Sequence, residues 1–511
     1  MIEIILSDKA YENDVYPLVK AFYPEESMKV YDRSEAAEIE KAYHLTREKM
    51  VSQELLQIEQ QSCIGKLVIE LELAETQMKL TITSDNSTIV KDLLQLSNKL
   101  PKPQYKNAMK RFLYTKVSEL TMKTLPWGIL TGIRPTKLVY ELLEHGEDKE
   151  TIYSHMGKEY LCSEDKIALS IEIAQRELQL LNEMEYRKGY SLYIGIPFCP
   201  STCLYCSFTS YSVTKYSEYV EQYLVALEKE IRYAATCFLD QKLTTVYFGG
   251  GTPTTLTAEQ LDRLLCLVRE QFDFTHVEEF CVEAGRPDSI TREKLEVLKK
   301  WGVDRISINP QSMQQKTLNL IGRMHTITQV KEAFHLARET GHENINMDII
   351  IGLPGETAQD VEDTLNQIKE LQPDSLTVHT LAIKRAARLN QERESYADLQ
   401  ASNVPDMLKH TMEFAKENAY LPYYLYRQKN MADNLENIGY ARYGREGLYN
   451  ILIMEEKQTI LALGAGGMSK FVFHQENRIE RVDNVKSVTD YINRIDEMIE
   501  RKRHFLKDNS L

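Results

Sequence analysis

The chain has 511 residues, 43% hydrophobic and 27% charged, with a formal net charge of -14. That is the make-up of a soluble globular protein with ample core, and the length fits about two to four domains. The acidic balance argues against a non-specific nucleic-acid binder, which carries a basic face, and no run of about 18 apolar residues marks a membrane span.

Residues 1–180 mix helix and strand and are expected to form an α+β domain. Alternation of Leu67, Ile69 and Leu71 within 65–83 predicts an antiparallel hairpin. Helical patterns follow over 104–121 and 165–181. Between them lies the stretch WGILTGIRPTK at 127–137, whose Gly and Pro mark a structured loop. Arg134 and Lys137 there are either anion contacts or part of a solvated turn.

Across 185–395 the pattern changes. Strand candidates at 192–196, 245–248, 279–283, 305–309, 346–351 and 375–381 alternate with helix candidates near 217–235, 258–272, 292–301, 328–340 and 358–371. Six strands with crossover helices imply an α/β fold with a parallel sheet and right-handed crossovers. Such units curl into a partial barrel, with functional residues at the C-terminal ends of the strands. Residues 396–511 read as a mostly helical C-terminal domain, interrupted at 437–447 and 463–467.

Directly after the first strand comes Cys199-Pro-Ser-Thr-Cys203-Leu-Tyr-Cys206. Clusters held by four cysteines mainly carry electrons; three thiolates on one loop hold three irons of a [4Fe–4S] cluster and leave the fourth open for a ligand. Structural zinc is disfavoured, because it takes four ligands and the loop offers no fourth Cys or His. The N-terminus shows no signal-peptide pattern, so a cytoplasmic setting is expected, where disulfides are rare. Cys63, Cys162, Cys237, Cys266 and Cys281 are scattered and read as small buried residues.

The second strand runs into Gly249-Gly250-Gly251-Thr252-Pro253-Thr254, where glycines let backbone amides approach a ligand closely. This suits the amino and carboxylate groups of a methionine-type ligand. The third strand ends in Glu283, the fourth in Gln311, and the fifth carries Asp348. Taken singly each also fits a satisfied polar residue or helix N-cap. Together at one rim, Glu and Asp suit ribose hydroxyls, and Arg323 suits a carboxylate through its planar fork. Gly352-Leu353-Pro354-Gly355-Glu356 reads as a structural turn opening the next helix.

With these motifs the chain resembles the radical S-adenosylmethionine enzymes over about 190–390: Cys199, Cys203 and Cys206 match the cluster motif, Tyr205 the aromatic before the third cysteine, and GGGTP the glycine motif. Tyr193-Ile-Gly-Ile-Pro-Phe-Cys199 and Asp348-Ile-Ile-Ile-Gly-Leu-Pro-Gly355 resemble the oxygen-independent coproporphyrinogen III oxidase family. The long N-terminal extension, WGILTGIRPTK and Leu425-Tyr-Arg-Gln-Lys-Asn430 are similar to its HemZ-type branch. The resemblance implies a [4Fe–4S] cluster and S-adenosylmethionine as cofactors. It places Tyr193, Gly250 and Glu283 at the cluster-bound S-adenosylmethionine, with Tyr205 beside them. Ser207, Gly251, Thr252, Gln311, Arg323, Asp348 and Ala382 correspond to positions around a second one.

The implied activity is anaerobic decarboxylation of coproporphyrinogen III to protoporphyrinogen IX by a 5′-deoxyadenosyl radical, in a monomer fed by a reduced donor such as flavodoxin or ferredoxin. Arg286, Lys384, Arg385, Arg388, Arg427 and Lys429 are candidates for the substrate carboxylates, and His379 reads as a packed strand histidine. The best-known members carry a fourth cysteine two places after the third; here that residue is Phe208. The haem-chaperone branch carries an HNxxYW-type stretch that Tyr449-Asn450 does not match. A haem-modifying radical methyltransferase and a haem chaperone are the alternatives on the same scaffold.

Overall fold

A computed structural model describes residues 1–36, 38, 67–85, 87–206, 210–382, 388–391, 403–428, 431 and 435–509. Ser207, Phe208, Lys384, Arg385 and Lys429 therefore lie outside the described residues, as does Cys63. The chain divides into two compact units, Met1–Ile171 and Glu172–Leu511.

In the first unit, Ile2–Leu6 pairs in parallel with both Met28–Asp32 and Leu67–Ala74, and Gln77–Ser84 and Ser87–Gln95 extend the sheet as an antiparallel meander. The expected hairpin is its central pair. Ile69 and Leu71 from one strand and Met78, Leu80 and Ile82 from the next turn inward, as period-2 alternation requires. Helices Glu12–Phe22 and Lys102–Thr121 supply the rest of this core. The WGILTGIRPTK stretch is built into it: Trp127 and Ile129 are buried, and the Ile129 amide donates to the Tyr160 carbonyl at 2.9 Å. A Cβ on Gly128 would lie 2.0 Å from that carbonyl oxygen, and its φ of +53° is left-handed, so glycine is required here. Lys137 pairs with Glu141 at 3.5 Å on its own helix.

The second unit is built on six strands: β1 (Gly189–Ile196), β2 (Lys242–Gly250), β3 (Glu279–Gly285), β4 (Arg305–Ile308), β5 (Asn344–Ile351) and β6 (Ser375–Thr380). Each pairs in parallel with the next in sequence. The crossover helices are α1 (Ser217–Ala234), α2 (Ala258–Gln271), α3 (Arg292–Lys300), α4 (Ile327–Glu339) and α5 (Ala358–Leu371). β1 and β6 do not pair with each other, so this is a partial (β/α)6 barrel. The strands are buried on both faces, the pattern of a helix-covered parallel sheet. Four crossover helices start the same way: Thr257, Thr291, Thr326 and Thr357 each accept a hydrogen bond from the third residue of the helix they cap. Such caps are worth about 1 kcal/mol each and fix where strand ends give way to helix.

The helical C-terminal region carries Val404–Glu417, Leu448–Glu455, Val488–Asn493 and Ile495–Asp508. It also adds strands to both edges of the sheet. Asn437–Ala441 pairs antiparallel with β6, and Leu421–Tyr426 lies outside it. Thr459–Leu463 lies parallel to β1, followed by the antiparallel Met468–Phe473 and Arg478–Asp483. These strands are only five or six residues long; Asn437–Ala441 is buried throughout, and Leu421–Tyr426 and Thr459–Leu463 are buried except at their ends, so no alternation betrays them.

Candidate functional site

The residues singled out from the sequence gather where β1–β5 end. The loop after β1 carries Cys199, Cys203 and Cys206. It is held against the glycine turn after β2 by backbone bonds from Gly251 N to Ile196 O (2.8 Å) and from Thr252 N to Phe198 O (2.7 Å). Thr252 Oγ1 also donates to Cys199 Sγ at 3.6 Å. A Cβ on Gly251 would stand 2.5 Å from Phe198 O and 3.0 Å from Cys199 Sγ, so only glycine permits this approach. Burial pushes the Cys199 thiol up to about 11, and its two cysteine neighbours add to this. The Thr252 hydroxyl and the charge of Arg286 pull the other way. Among the described residues, no three His, Cys, Asp or Glu side chains converge on a single metal ion. Three thiolates that each take a separate iron need not converge so tightly.

The far side of the cysteine loop rests on two buried arginines. Arg323 donates to Tyr205 Oη at 3.0 Å and to Asn309 O at 2.7 Å. Arg286 lies inward rather than at a solvent-facing mouth, bound to Ser201 and Asp288. Its fork is thus taken up by the protein, contrary to the expectation that it meets substrate. Arg427 is buried as well, with Nε donating to Leu435 O at 3.4 Å, and Arg388 is exposed.

Inside the barrel, Glu283 accepts a 2.6 Å hydrogen bond from Tyr247 Oη. Gly249 makes room for the pair, since a Cβ there would lie 2.9 Å from the Tyr247 ring and 3.1 Å from the Glu283 carboxyl. Tyr247 stacks on Tyr193 (centroids 6.2 Å) and on Tyr449 of the C-terminal region (4.3 Å). Burial raises the Glu283 carboxyl to about 7; the charge of Asp348 adds to this, while the Tyr247 hydroxyl and the Gly250 amide oppose it. Gly250 has φ +107°, with the Tyr193 hydroxyl 3.3 Å from where a Cβ would sit.

Gln311 follows β4 with φ +68°, a left-handed backbone that ordinarily costs a non-glycine residue about 1 kcal/mol or more. Two backbone bonds to β5 hold it there, Gln311 N to Asp348 O (3.0 Å) and Ile350 N to Gln311 O (2.8 Å). Asp348 accepts from Asn346 Nδ2 at 2.7 Å and faces His379 Nε2 at 3.6 Å, whose Nδ1 meets Tyr426 Oη at 3.2 Å. Burial alone would raise the Asp348 carboxyl, but His379, Asn346 and Thr377 outweigh it and hold it below the usual range. Ala382 lies just past β6, bridged to Met431.

Four buried polar atoms at this end of β4 have no hydrogen-bond partner among the described residues: Ser307 Oγ, Asn309 Oδ1, Gln311 Oε1 and Arg323 Nε. Unpaired buried polar groups cost about 1–3 kcal/mol each, and their clustering at one rim marks a place shaped for a polar ligand. The sequence reading missed Tyr247, Tyr449, Asn309 and the partner role of His379. For Tyr247 a signal existed, a hydroxyl-bearing aromatic within the run Val246–Phe248, two residues before the first glycine.

A family model described as the Radical SAM superfamily matches residues 193–368. The chain is 41% identical over 451 residues to the oxygen-independent coproporphyrinogen-III oxidase-like protein HemZ of Bacillus subtilis, covering 86% of this chain and 90% of that protein. It is 38% identical over 195 residues to the heme chaperone HemW of the same organism, covering 38% of this chain and 51% of HemW. Among solved structures, coproporphyrinogen III oxidase (HemN) from Escherichia coli, a radical SAM enzyme, aligns with a TM-score of 0.51 at 25% identity, covering 63% of this chain and 73% of HemN. The superfamily's cofactors are a [4Fe–4S] cluster and S-adenosylmethionine, and the cysteine loop, the glycine turn pressed onto it and the unpaired polar rim fit that pair. No helix among the described residues is long and apolar enough to cross a membrane. The chain belongs to the radical SAM superfamily and, within it, to the HemZ-type family.

Proposed function

We propose that this chain is an anaerobic radical enzyme that decarboxylates two propionates of coproporphyrinogen III, giving the vinyl groups of protoporphyrinogen IX. The observation that carries the reading is the glycine turn clamped onto the cysteine loop, so close that a Cβ on Gly251 would stand 3.0 Å from the first thiol, in a chain so similar to HemZ along its length.

Cys199, Cys203 and Cys206 hold the cluster. Burial keeps Cys199 a thiol in the metal-free chain, so uptake of iron releases a proton. Tyr193, Gly250 and Glu283, with Tyr205 nearby, hold S-adenosylmethionine at the cluster. Ser207, Gly251, Thr252, Gln311, Arg323, Asp348 and Ala382 border a second such molecule. When bound, the pair of cofactors would supply one-electron chemistry that removes a β-hydrogen from a propionate, which would then lose CO2 and pass one electron to an external one-electron acceptor. The protein's own part is to orient, to exclude water and to keep the reacting groups apart from oxidisable side chains. The electron comes from a reduced flavodoxin or ferredoxin, and the protein works as a monomer in the cytoplasm.

Glu283 makes binding pH-dependent. Its carboxyl sits near 7 before ligand binds because it is buried, and it is the ionised form that accepts hydrogen bonds from the ligand's ribose hydroxyls. Affinity for S-adenosylmethionine is therefore full above pH 7 and falls about tenfold per pH unit below it. Equilibrium dialysis of the reconstituted protein from pH 5.5 to 8.5 reads this directly, and Glu283→Gln flattens the profile while weakening binding. A flat wild-type profile overturns the assignment of Glu283.

The function is tested by incubating the reconstituted, reduced protein anaerobically with S-adenosylmethionine and coproporphyrinogen III, with mass spectrometry of the products. Protoporphyrinogen IX together with 5′-deoxyadenosine is the expected result. 5′-Deoxyadenosine without a decarboxylated tetrapyrrole sinks the decarboxylase reading. The similarity to HemW favours a second reading, haem binding and delivery, which tight haem binding without any tetrapyrrole product would select. Methylthioadenosine or ring-opened haem would select a haem-modifying methyltransferase.

A further inference from the structure

Resting on the cluster reading above, we propose that Arg286 is a positioning residue of the iron–sulfur centre, seating the cysteine loop and, with Asp288, setting the cluster's reduction potential. Arg286 follows β3 and is 3% exposed. One edge of its guanidinium faces the cysteine loop: Nη1 donates to Ser201 O at 3.0 Å and Ser201 Oγ at 2.8 Å, and stands 3.9 Å from Cys203 Sγ. The opposite edge is bound in a fork by Asp288, Nε to Oδ1 at 3.0 Å and Nη2 to Oδ2 at 2.7 Å. The carboxylate therefore lies behind the guanidinium, on the side away from Cys203.

This order of charges decides the sign. A reduced cluster carries one more negative charge than an oxidised one, so a nearby cation stabilises the reduced form and raises the potential. Charge and hydrogen bonds around the cysteine sulfurs are the protein's means of setting this value. Asp288, one group further out, subtracts part of the effect. Burial by itself would raise its carboxyl, but Arg286 first, with His325 and Arg323 adding to it, outweighs burial and holds it below the usual carboxylate range, so Asp288 is charged at neutral pH. Arg323 differs in that its hydrogen-bond partners on the loop and β4 side, Tyr205 Oη and Asn309 O, are neutral. The loop also has supports independent of Arg286, Leu204 N to Ile321 O at 2.9 Å and Ser201 Oγ to Gly322 O at 3.3 Å. Replacing the arginine therefore leaves the loop partly held.

The test is an anaerobic redox titration of the reconstituted full chain, followed by electron paramagnetic resonance, for wild type, Arg286→Gln, Arg286→Lys and Asp288→Asn, with iron and sulfide assayed on each. Arg286→Gln leaves the Asp288 charge uncompensated and shifts the midpoint to more negative potential, with reduced iron content. Arg286→Lys falls between it and wild type. Asp288→Asn leaves the guanidinium unopposed and shifts the midpoint to more positive potential. A purely structural role lowers iron content in these variants without moving the potentials in opposite directions. Midpoints equal to wild type, or moved to the same side, overturn the proposal. Should Arg286→Gln retain no cluster, Arg286→Lys and Asp288→Asn still decide it. A wild-type chain that takes up no [4Fe–4S] cluster overturns the cluster reading instead.

Discussion

Cys203→Ala is expected to empty the iron site and abolish S-adenosylmethionine cleavage. Removing one of three thiolates strips an iron of its only protein ligand. The loss must exceed the roughly 10–100-fold effects produced by changes among residues that merely support metal ligands. We expect 5′-deoxyadenosine below detection and cluster absorbance lost on reconstitution. The fold survives, because the change deletes one sulfur from a loop that keeps its own supports at Leu204 and Ser201. Cys281→Ala is the matched control. Cys281 is buried as well, but it lies within β3 rather than on the loop. It should retain iron and activity at a stability loss within the ordinary range of about 0.5–3 kcal/mol. Full iron content in Cys203→Ala, by iron and sulfide analysis, sinks the assignment of the three ligands.

Lys502→Met should give the largest loss of stability. Lys502, on the last helix, and Glu230, on α1, have fully buried side chains that meet at 2.8 Å. The same carboxylate accepts from Asn484 Nδ2 (2.8 Å), Gly464 N (2.8 Å) and Tyr491 Oη (2.5 Å). One buried anion thus ties α1 to the loop at 464, the 484 turn and both terminal helices. Removing the ammonium leaves that anion uncompensated, which costs about 3–5 kcal/mol. Replacing both charges, Glu230→Gln with Lys502→Met, should destabilise by less than the sum of the single changes, because the partners are coupled. Chemical denaturation of all three variants under one set of conditions measures this. Strict additivity, or a Lys502→Met loss below about 1 kcal/mol, counts against it. Tyr223 connects this network to the site, donating to Gly195 O at 2.6 Å at the end of β1.

Legibility followed sequence distance. The cysteine loop and the glycine turn each stand on a few consecutive residues, so their spacing declared them. The first strand was expected over 192–196 and runs Gly189–Ile196; the fourth was expected over 305–309 and runs Arg305–Ile308. These segments read well because β-branched runs bounded by turns, with threonine caps before four of the five crossover helices, are local signals. The edge strands of the C-terminal region were not legible. What makes Asn437–Ala441 a strand is the free edge of β6 beside it, and propensity yields to such tertiary context.

The site divides in the same way. Residue order alone carries the chemistry on offer: three thiols in one loop, a glycine turn after the next strand, and acidic and amide side chains at successive strand ends. Packing in three dimensions tunes those groups. It set Tyr247 against Glu283 across the gap left by Gly249, turned Arg286 from the mouth to the back of the cysteine loop, and strung His379 between Asp348 and Tyr426. It also joined Lys502 to Glu230 across 272 residues. The physical reason is that charge, burial and hydrogen bonding act over a few ångströms of space, and periodicity along the chain carries no information about which distant residue will fill them.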